Sequence, residues 1–181
     1  MHTTLDGFTS RTDGSFNWVT LSDEIWRFPH ERIAVADTAL YGRRTFDMMH
    51  AYWPTAGDAP DASEHDIEHS NWYNKVEKVV VSESMRGQHI DGVEIISDDV
   101  VEQITQLKNK PGGEIIMFGS PTLGAFLMQH NLIDDYWLFV NPIILGEGNS
   151  LYKGLKNEMK LKLAESNTLK SGVVALHYEK A

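Results

Sequence analysis

The chain of 181 residues contains no cysteine. That absence excludes a disulfide framework, thiolate zinc sites, cysteine-ligated iron–sulfur clusters and a cysteine nucleophile. Long apolar runs are also missing, since no stretch approaches the roughly 18 to 20 residues that cross a bilayer. The start, MHTTLDGFTSR, lacks the basic head and apolar middle of a signal peptide. We therefore expect a cytoplasmic protein with no membrane partner.

Basic residues are scarce as well. Lysine and arginine together number 16 against 26 acidic residues, which gives a net charge of -10. Because a nucleic-acid backbone needs an extended positive surface, nucleic acid is not an expected partner. A small anionic ligand stays compatible with this composition if the positive charge is local. The hydrophobic share of 41% and the length predict one globular domain over residues 1–181 with a sizeable core.

The order of the predicted elements indicates an α/β fold. Strand and helix patterns alternate up to about residue 133, and only strands follow. The helices are predicted over 22–36, 44–53, 63–76, 98–110 and 120–131, and the strands over 37–42, 78–82, 93–97, 114–119, 135–145, 159–169 and 172–180. Pro29 is expected to kink or split the first helix, and Pro54 to end the second. This order predicts a mostly parallel sheet flanked by helices, with an antiparallel C-terminal hairpin turning at Lys170-Ser171-Gly172.

Three predicted strand-to-helix turns carry residues that suit a ligand with several phosphates. The first combines Gly42, Arg43, Arg44 and Thr45, which offer a close backbone approach, guanidinium groups and a hydroxyl at a helix start. The second holds Ser82 and Ser84, and the third is MFGSPTLG, with Ser120 as the expected N-cap. A dinucleotide is the natural ligand, although helix caps use such residues for structural reasons too. Neither a Walker loop nor a GxGxxG motif is present.

Several of these segments resemble a known family. TTLDGF, ADTALYGRRTFDMM, KVVVSES, the segment from MFGSPTLG to PIILGEGNSLY, and the closing LKLAESNTLKSGVVALHYE are similar to the dihydrofolate-reductase-like superfamily. The nearer resemblance is to the reductase domain of the bifunctional riboflavin-biosynthesis deaminase-reductase. The resemblance implies a three-layer α/β/α fold around a mixed sheet, NADPH as hydride donor, and a homodimer.

The resemblance also implies roles for particular residues. The cofactor's phosphates would lie along the first turn and along the third, and its adenosine ribose with the 2′-phosphate beside the second. The implied cofactor-binding residues are Gly42, Arg43, Arg44, Thr45, Ser82, Glu83, Ser84, Gly119, Ser120, Pro121, Thr122 and Leu123. The chain departs from the pattern of the family at two positions. Gly119-Ser120 replaces a common Gly-Gly, and Glu83 occupies a position that suits a cation. A carboxylate there repels a 2′-phosphate, so NADH is an alternative to NADPH unless Arg44, Arg86 or Lys78 compensates.

Candidate catalytic and substrate-binding residues lie near the N-terminus. Thr4, Leu5 and Asp6 are implied to border the nicotinamide and the substrate, and residues 13–18 resemble a mobile loop over the active site. Asp23 lies where dihydrofolate reductases keep an acid that supports protonation of the pterin, but it equally suits the first turn of a helix. Asp6 either contacts substrate or braces the turn at Gly7. Trp18, together with Tyr52 and Trp53, either forms a flat wall for a heterocycle or belongs to the core.

One rival motif is EHDIEH, in which His65 and His69 lie one helical turn apart. That spacing can hold a metal ion, but without a third ligand we expect a solvated polar face and no metal; the remaining histidines, His177 among them, show no comparable grouping. The sequence thus predicts an NAD(P)H-dependent reductase of a small heterocycle, pterin-like or ribosylaminopyrimidine-like. The alternatives are a catalytically silent nucleotide-binding protein on the same fold, and a metal-dependent hydrolase using His65 and His69.

Overall fold

The computed structural model describes all residues from Met1 to Ala181. They form two compact units: a terminal unit, made of Met1–Glu24 and Pro121–Ala181, and a central unit, Ile25–Ser120. The helices are α1 (Asp23–Ile33), α2 (Arg43–Ala56), α3 (Glu64–Lys75), α4 (Val100–Lys108) and α5 (Pro121–Gln129). The strands are β1 (His2–Thr4), β2 (Phe8–Ser10), β3 (Ala36–Gly42), β4 (Glu77–Val81), β5 (Val93–Ile96), β6 (Glu114–Ile116), β7 (Asp135–Asn141), β8 (Asn149–Ser150), β9 (Leu161–Thr168) and β10 (Val174–Lys180). None of these helices is long and apolar enough to span a bilayer.

The central unit contains a four-stranded parallel sheet with the order β5-β4-β3-β6. The chain runs outward from β3 through β4 to β5, and β6 then pairs with the other edge of β3. Strand order therefore reverses between β3 and β6, and the carboxyl ends of all four strands lie at one edge.

Burial explains why the strands of this sheet read as continuous apolar runs. A parallel sheet is covered on both faces, so residues of both faces are buried. Tyr41 and Val80 are fully buried and share a core cluster with Phe46, Tyr73 and Met85. Removing one such side chain from water contributes roughly 1.5–3 kcal/mol.

Two helices differ from the prediction at their prolines. Pro29 lies inside α1, which runs unbroken from Asp23 to Ile33, so of the two expected outcomes, a kink or a split, the split does not occur. The helix is also shorter than predicted at both ends. Pro54 does not end α2, which continues to Ala56. Helix packing overrides the local cost of proline here, since Phe28 and Ala56 are buried and the Asn74 side chain of α3 donates to the Pro54 carbonyl at 3.1 Å.

The terminal unit contains a mixed sheet with the order β1-β7-β10-β9, in which only the β1–β7 pair is parallel. The predicted hairpin is confirmed: Leu169 N–H donates to Val173 O at 2.8 Å, and Gly172 takes the left-handed φ of 83° that such a turn requires. Strand β7 ends at Asn141 rather than at residue 145, because Pro142 offers no N–H to the ladder. A separate pair, β2–β8, completes the unit.

Candidate functional site

Two of the three predicted turns meet at the strand-order reversal of the central unit. Gly42 ends β3, and Gly119 and Ser120 follow β6, which pairs with β3. Because neighbouring parallel strands end at the same edge, the loops that follow them lie side by side. Ligands of open α/β sheets usually bind in the crevice at such a reversal.

Hydrogen bonds hold these two turns together. The Gly42 N–H donates to Ser120 Oγ at 2.9 Å, and the Ser120 N–H donates to Thr45 Oγ1 at 3.1 Å. A Cβ atom at Gly119 would lie 3.3 Å from Thr45 Cγ2, so a larger residue would press on the first turn. We call Gly42, Thr45, Gly119 and Ser120 the clasp.

The backbone of the clasp is unusual at Ser120. Gly119 and Ser120 have φ angles of 63° and 58°, so two successive residues lie in the left-handed region. For a residue with a side chain this costs roughly 1–2 kcal/mol. Ser120 precedes α5, as predicted, but its φ differs from the extended backbone of an ordinary N-cap, and its hydroxyl accepts from Gly42.

The first turn of α2 suits an anion. Gly42 takes the N-cap position without a capping side chain, and the first turn contains no acidic residue. The amide groups that open the helix are therefore not neutralised by the protein's own side chains, and the positive end of the helix dipole adds to them. Arg43 and Arg44 place two further positive charges at this point.

The second predicted turn, which holds Ser82 and Ser84, joins the first through a side-chain contact. Arg43 Nη1 donates to Ser84 Oγ at 2.8 Å, and Ser82 Oγ lies 3.1 Å from Ser84 Oγ. Arg43 Nε is also 3.5 Å from the Asp47 carboxylate. Ser84 belongs to a short 3₁₀ helix, Glu83–Met85, that follows β4. The structure thus brings all three turns to one edge of the sheet.

The three cations named above as possible compensators of Glu83 differ in their availability. Arg86 forms an ion pair with Asp98 at 3.1 Å. Lys78 Nζ donates to the Val76 carbonyl at 3.0 Å, and burial lowers its pKa. Arg44 is exposed and makes no hydrogen bond or ion pair, so its guanidinium group is free to meet a ligand.

In the terminal unit, Asp6 is engaged by the protein itself. Its carboxylate accepts from Thr4 Oγ1 at 2.6 Å and from the N–H groups of Leu145 and Gly146 at 3.2 and 2.8 Å. These hydrogen bonds, with Thr4 the largest contributor, lower the pKa of Asp6. This geometry favours the bracing role of Asp6 over substrate contact. The Asp6 carboxylate holds the Leu145–Gly146 turn in addition to the turn at Gly7. Leu5 is 67% exposed beside it.

The other predicted residues of the terminal unit are scattered along it. Trp18 has a buried indole N–H without a partner, whereas Asp23 is an exposed residue at the start of α1. Pro121, Thr122 and Leu123 begin α5. No contact among the atoms of the structure tests a cofactor or substrate role for these residues, so those roles stay predictions.

The two candidate aromatic residues of the central unit, Tyr52 and Trp53, lie in different environments. Trp53 is partly buried and packs against the core cluster, with its ring stacked on His69 at a centroid distance of 3.9 Å. Tyr52 is exposed and donates a hydrogen bond to Asp66 at 3.1 Å. Trp53 therefore follows the core interpretation.

The prediction of a solvated face for EHDIEH is wrong at its two histidines. His65 and His69 are only 7% and 3% exposed, because α3 packs this side against aromatic residues. Burial lowers the pKa of both, that of His69 to about 3, which keeps both imidazoles neutral at pH 7. His65 Nδ1 lies 2.9 Å from His30 Nε2, a neighbour that the sequence pattern does not reveal.

Comparison with known proteins defines the class. The family model of the RibD C-terminal domain matches residues 1–175, and the chain belongs to that family. It is 32% identical over 178 residues to the uncharacterized protein YyaP of Bacillus subtilis, covering 97% of this chain and 89% of that protein.

Solved structures confirm the predicted fold class. A putative riboflavin biosynthesis protein from Shewanella sp. PV-4 has a TM-score of 0.75 at 20% identity, covering 100% of this chain and 96% of that one. Dihydrofolate reductase from Enterococcus faecalis, solved with NADP(H), has a TM-score of 0.64 at 13% identity, covering 99% and 92%. A deaminase/5-amino-6-(5-phosphoribosylamino)uracil reductase from Thermotoga maritima has a TM-score of 0.68 at 14% identity, covering 99% of this chain but 55% of that one. The fold is thus dihydrofolate-reductase-like, and the chain belongs to the RibD C-terminal branch of that fold.

Proposed function

We propose that this protein is an NAD(P)H-dependent reductase that transfers a hydride to a small heterocyclic substrate, pterin-like or ribosylaminopyrimidine-like. The observation that carries the proposal is the clasp at the strand-order reversal, flanked by Arg43 and Arg44. The solved relative with NADP(H) and the riboflavin-type reductases on the same fold agree with it.

The residues present fit a pyrophosphate. The free N–H groups of the first turn of α2 and the Arg44 guanidinium would donate hydrogen bonds to the pyrophosphate oxygens. Such hydrogen bonds are strong because the phosphate is charged. The lack of a side chain at Gly119 keeps this edge clear, because a Cβ there would already meet Thr45. The clasp would hold both turns in place before the ligand arrives, which reduces the entropic cost of binding.

The second turn would receive the adenosine end. Ser84 and Ser82 offer hydroxyl groups, and Arg43 lies against Ser84. Arg43 lies 3.5 Å from Asp47, a longer ion pair than the 3.1 Å pair of Arg86 with Asp98. Arg43 would then exchange Asp47 for the 2′-phosphate of NADPH and offset the charge of Glu83. Without that offset, repulsion by Glu83 would favour NADH.

The bound nicotinamide would supply the hydride, and the protein would supply position and a proton path. Asp6 is a positioning residue in this proposal, since its carboxylate fixes the Leu145–Gly146 turn and its lowered pKa keeps it ionised at neutral pH, without a proton to donate. Asp23 is exposed, so a proton that it passes to substrate would be renewed from solvent.

A catalytically silent nucleotide-binding role is the second candidate. It is favoured by the absence of a free buried carboxylic acid among the predicted catalytic residues, since Asp6 is fully engaged and Asp23 is exposed. On this candidate the clasp binds a dinucleotide and no substrate is reduced.

One experiment separates the two candidates. NADPH and NADH are titrated against the protein by nicotinamide fluorescence. A panel of pterins and aminopyrimidines is then added, and oxidation of the bound cofactor is followed by the loss of the absorbance of the reduced nicotinamide. Binding followed by oxidation supports the reductase. Binding without oxidation across the panel supports the silent protein, and failure to bind either cofactor contradicts both.

A further inference from the structure

We infer that Asp135, His177 and Glu179 form a binding site for a divalent transition-metal ion of the Zn²⁺ class. One ligand atom from each side chain lies within 4.8 Å of the other two, and His177 Nε2 is 2.7 Å from Asp135 Oδ1. An imidazole nitrogen with two carboxylate oxygens is a donor set that zinc accepts. This site belongs to the terminal unit and is independent of the proposed reductase function.

Two neighbouring strands build the site. Asp135 of β7 lies directly opposite Glu179 of β10 in the antiparallel register, and His177 lies two residues before Glu179. Side chains alternate between faces along a strand, so His177 and Glu179 share a face with Asp135. Ligands mounted on paired strands are held more precisely than ligands on loops.

The orientation of the imidazole is set by its surroundings. The His177 ring stacks on Trp137, the residue opposite it, with centroids 4.2 Å apart and planes inclined by 9°. The His177 side chain is therefore held in one orientation, with Nε2 towards the carboxylates.

Two carboxylates face each other at this site, and Lys162, the residue opposite Glu179 on β9, forms no ion pair with either. Asp135 and Glu179 are like charges in directly opposed positions, an arrangement that destabilises a strand pair. Neither carboxylate forms an ion pair with a lysine or arginine; the one partner of Asp135 is His177, whose imidazole offsets the repulsion only when it is protonated. A divalent ion would neutralise both carboxylates.

The site is also open to an ion from solvent. The Asp135 side chain is 55% exposed, so water can complete the coordination shell. With metal–ligand bonds of about 2.0–2.2 Å, ligand atoms around a tetrahedral ion lie roughly 3.3–3.6 Å apart. Rotation of the exposed Asp135 side chain would lengthen the present 2.7 Å distance between His177 Nε2 and Asp135 Oδ1 to that spacing.

The test is a zinc titration of chelator-treated, untagged protein against a chromogenic zinc indicator. We expect one site per chain, with the dissociation constant raised at least about tenfold by His177→Gln, by Asp135→Asn and by Glu179→Gln. His89→Gln, at an exposed histidine remote in sequence, is the matched control and should leave the constant unchanged. Circular dichroism of each variant shows that it is folded.

Anomalous scattering from a zinc-soaked crystal gives an independent readout. An ion bound by the three side chains supports the inference. Absence of a stoichiometric site, equal affinity in His177→Gln and the parent protein, or an ion located elsewhere would overturn it.

Discussion

Replacement of Ser120 tests the clasp through stability. Ser120→Ala removes the oxygen that accepts from the Gly42 N–H and leaves that N–H without its partner. Ser120 is only 5% exposed and Gly42 is half-buried, so water replaces this partner poorly. An unsatisfied buried donor costs about 1–3 kcal/mol. Alanine also keeps the unfavourable left-handed φ of 58°, so nothing offsets the loss.

Ser120→Gly removes the same hydroxyl but adopts a positive φ without strain. Glycine relieves the strain of the left-handed φ, which is about 1–2 kcal/mol. The greater freedom of glycine in the unfolded chain costs about 0.5–1 kcal/mol. We therefore expect Ser120→Gly to be more stable than Ser120→Ala by about 0.5–1 kcal/mol. Urea midpoints at a constant m-value measure both differences. A Ser120→Ala midpoint equal to that of the parent protein, or a glycine variant less stable than the alanine variant, would refute this reasoning.

Three further predictions concern other residues. Gly113→Ala should lower the free energy of unfolding by about 1–3 kcal/mol, because its Cβ would meet the Val35 carbonyl oxygen; an unchanged urea midpoint contradicts this. His69 has its pKa lowered from 6.5 to about 3, so the unfolded chain binds its proton more readily and stability falls as pH drops below 6.5 towards 3. By about pH 4 the loss is roughly 3 kcal/mol, and His69→Leu should flatten urea midpoints measured against pH; parallel curves contradict this. Glu83→Arg should shift the ratio of NADPH to NADH affinities towards NADPH, and an unchanged ratio removes Glu83 from the ribose site.

Much of the fold follows from local sequence. The β-branched runs of β4 and β5, the capping box at Ser63 and Asp66, and the turn at Gly172 each specify their element within a few residues. The prolines at 29 and 54 do not behave locally, because the packing of the helices outweighs a lost hydrogen bond. Such effects arise from residues distant in sequence, which no short window contains.

The candidate site shows the same division. Arg43, Arg44 and the Gly119-Ser120 pair stand out in the sequence because glycine, arginine and serine at strand ends suit phosphate. The left-handed Ser120 and its contact with Gly42 depend on the pairing of β3 with β6, which joins segments 78 residues apart. His177 and Asp135, separated by 42 residues, meet for the same reason, so single-motif reasoning overlooks them.

The most direct test of the central claim is the dissociation constant for NADPH of Arg44→Ala, compared with the parent protein and with Arg27→Ala, an exposed control with the same charge change in the central unit. Loss of a charge-assisted hydrogen bond predicts binding weaker by about 1.5–3 kcal/mol, roughly 10- to 150-fold, in Arg44→Ala alone. Equal constants for Arg44→Ala and the parent protein would show that the cofactor's phosphates do not lie at this turn.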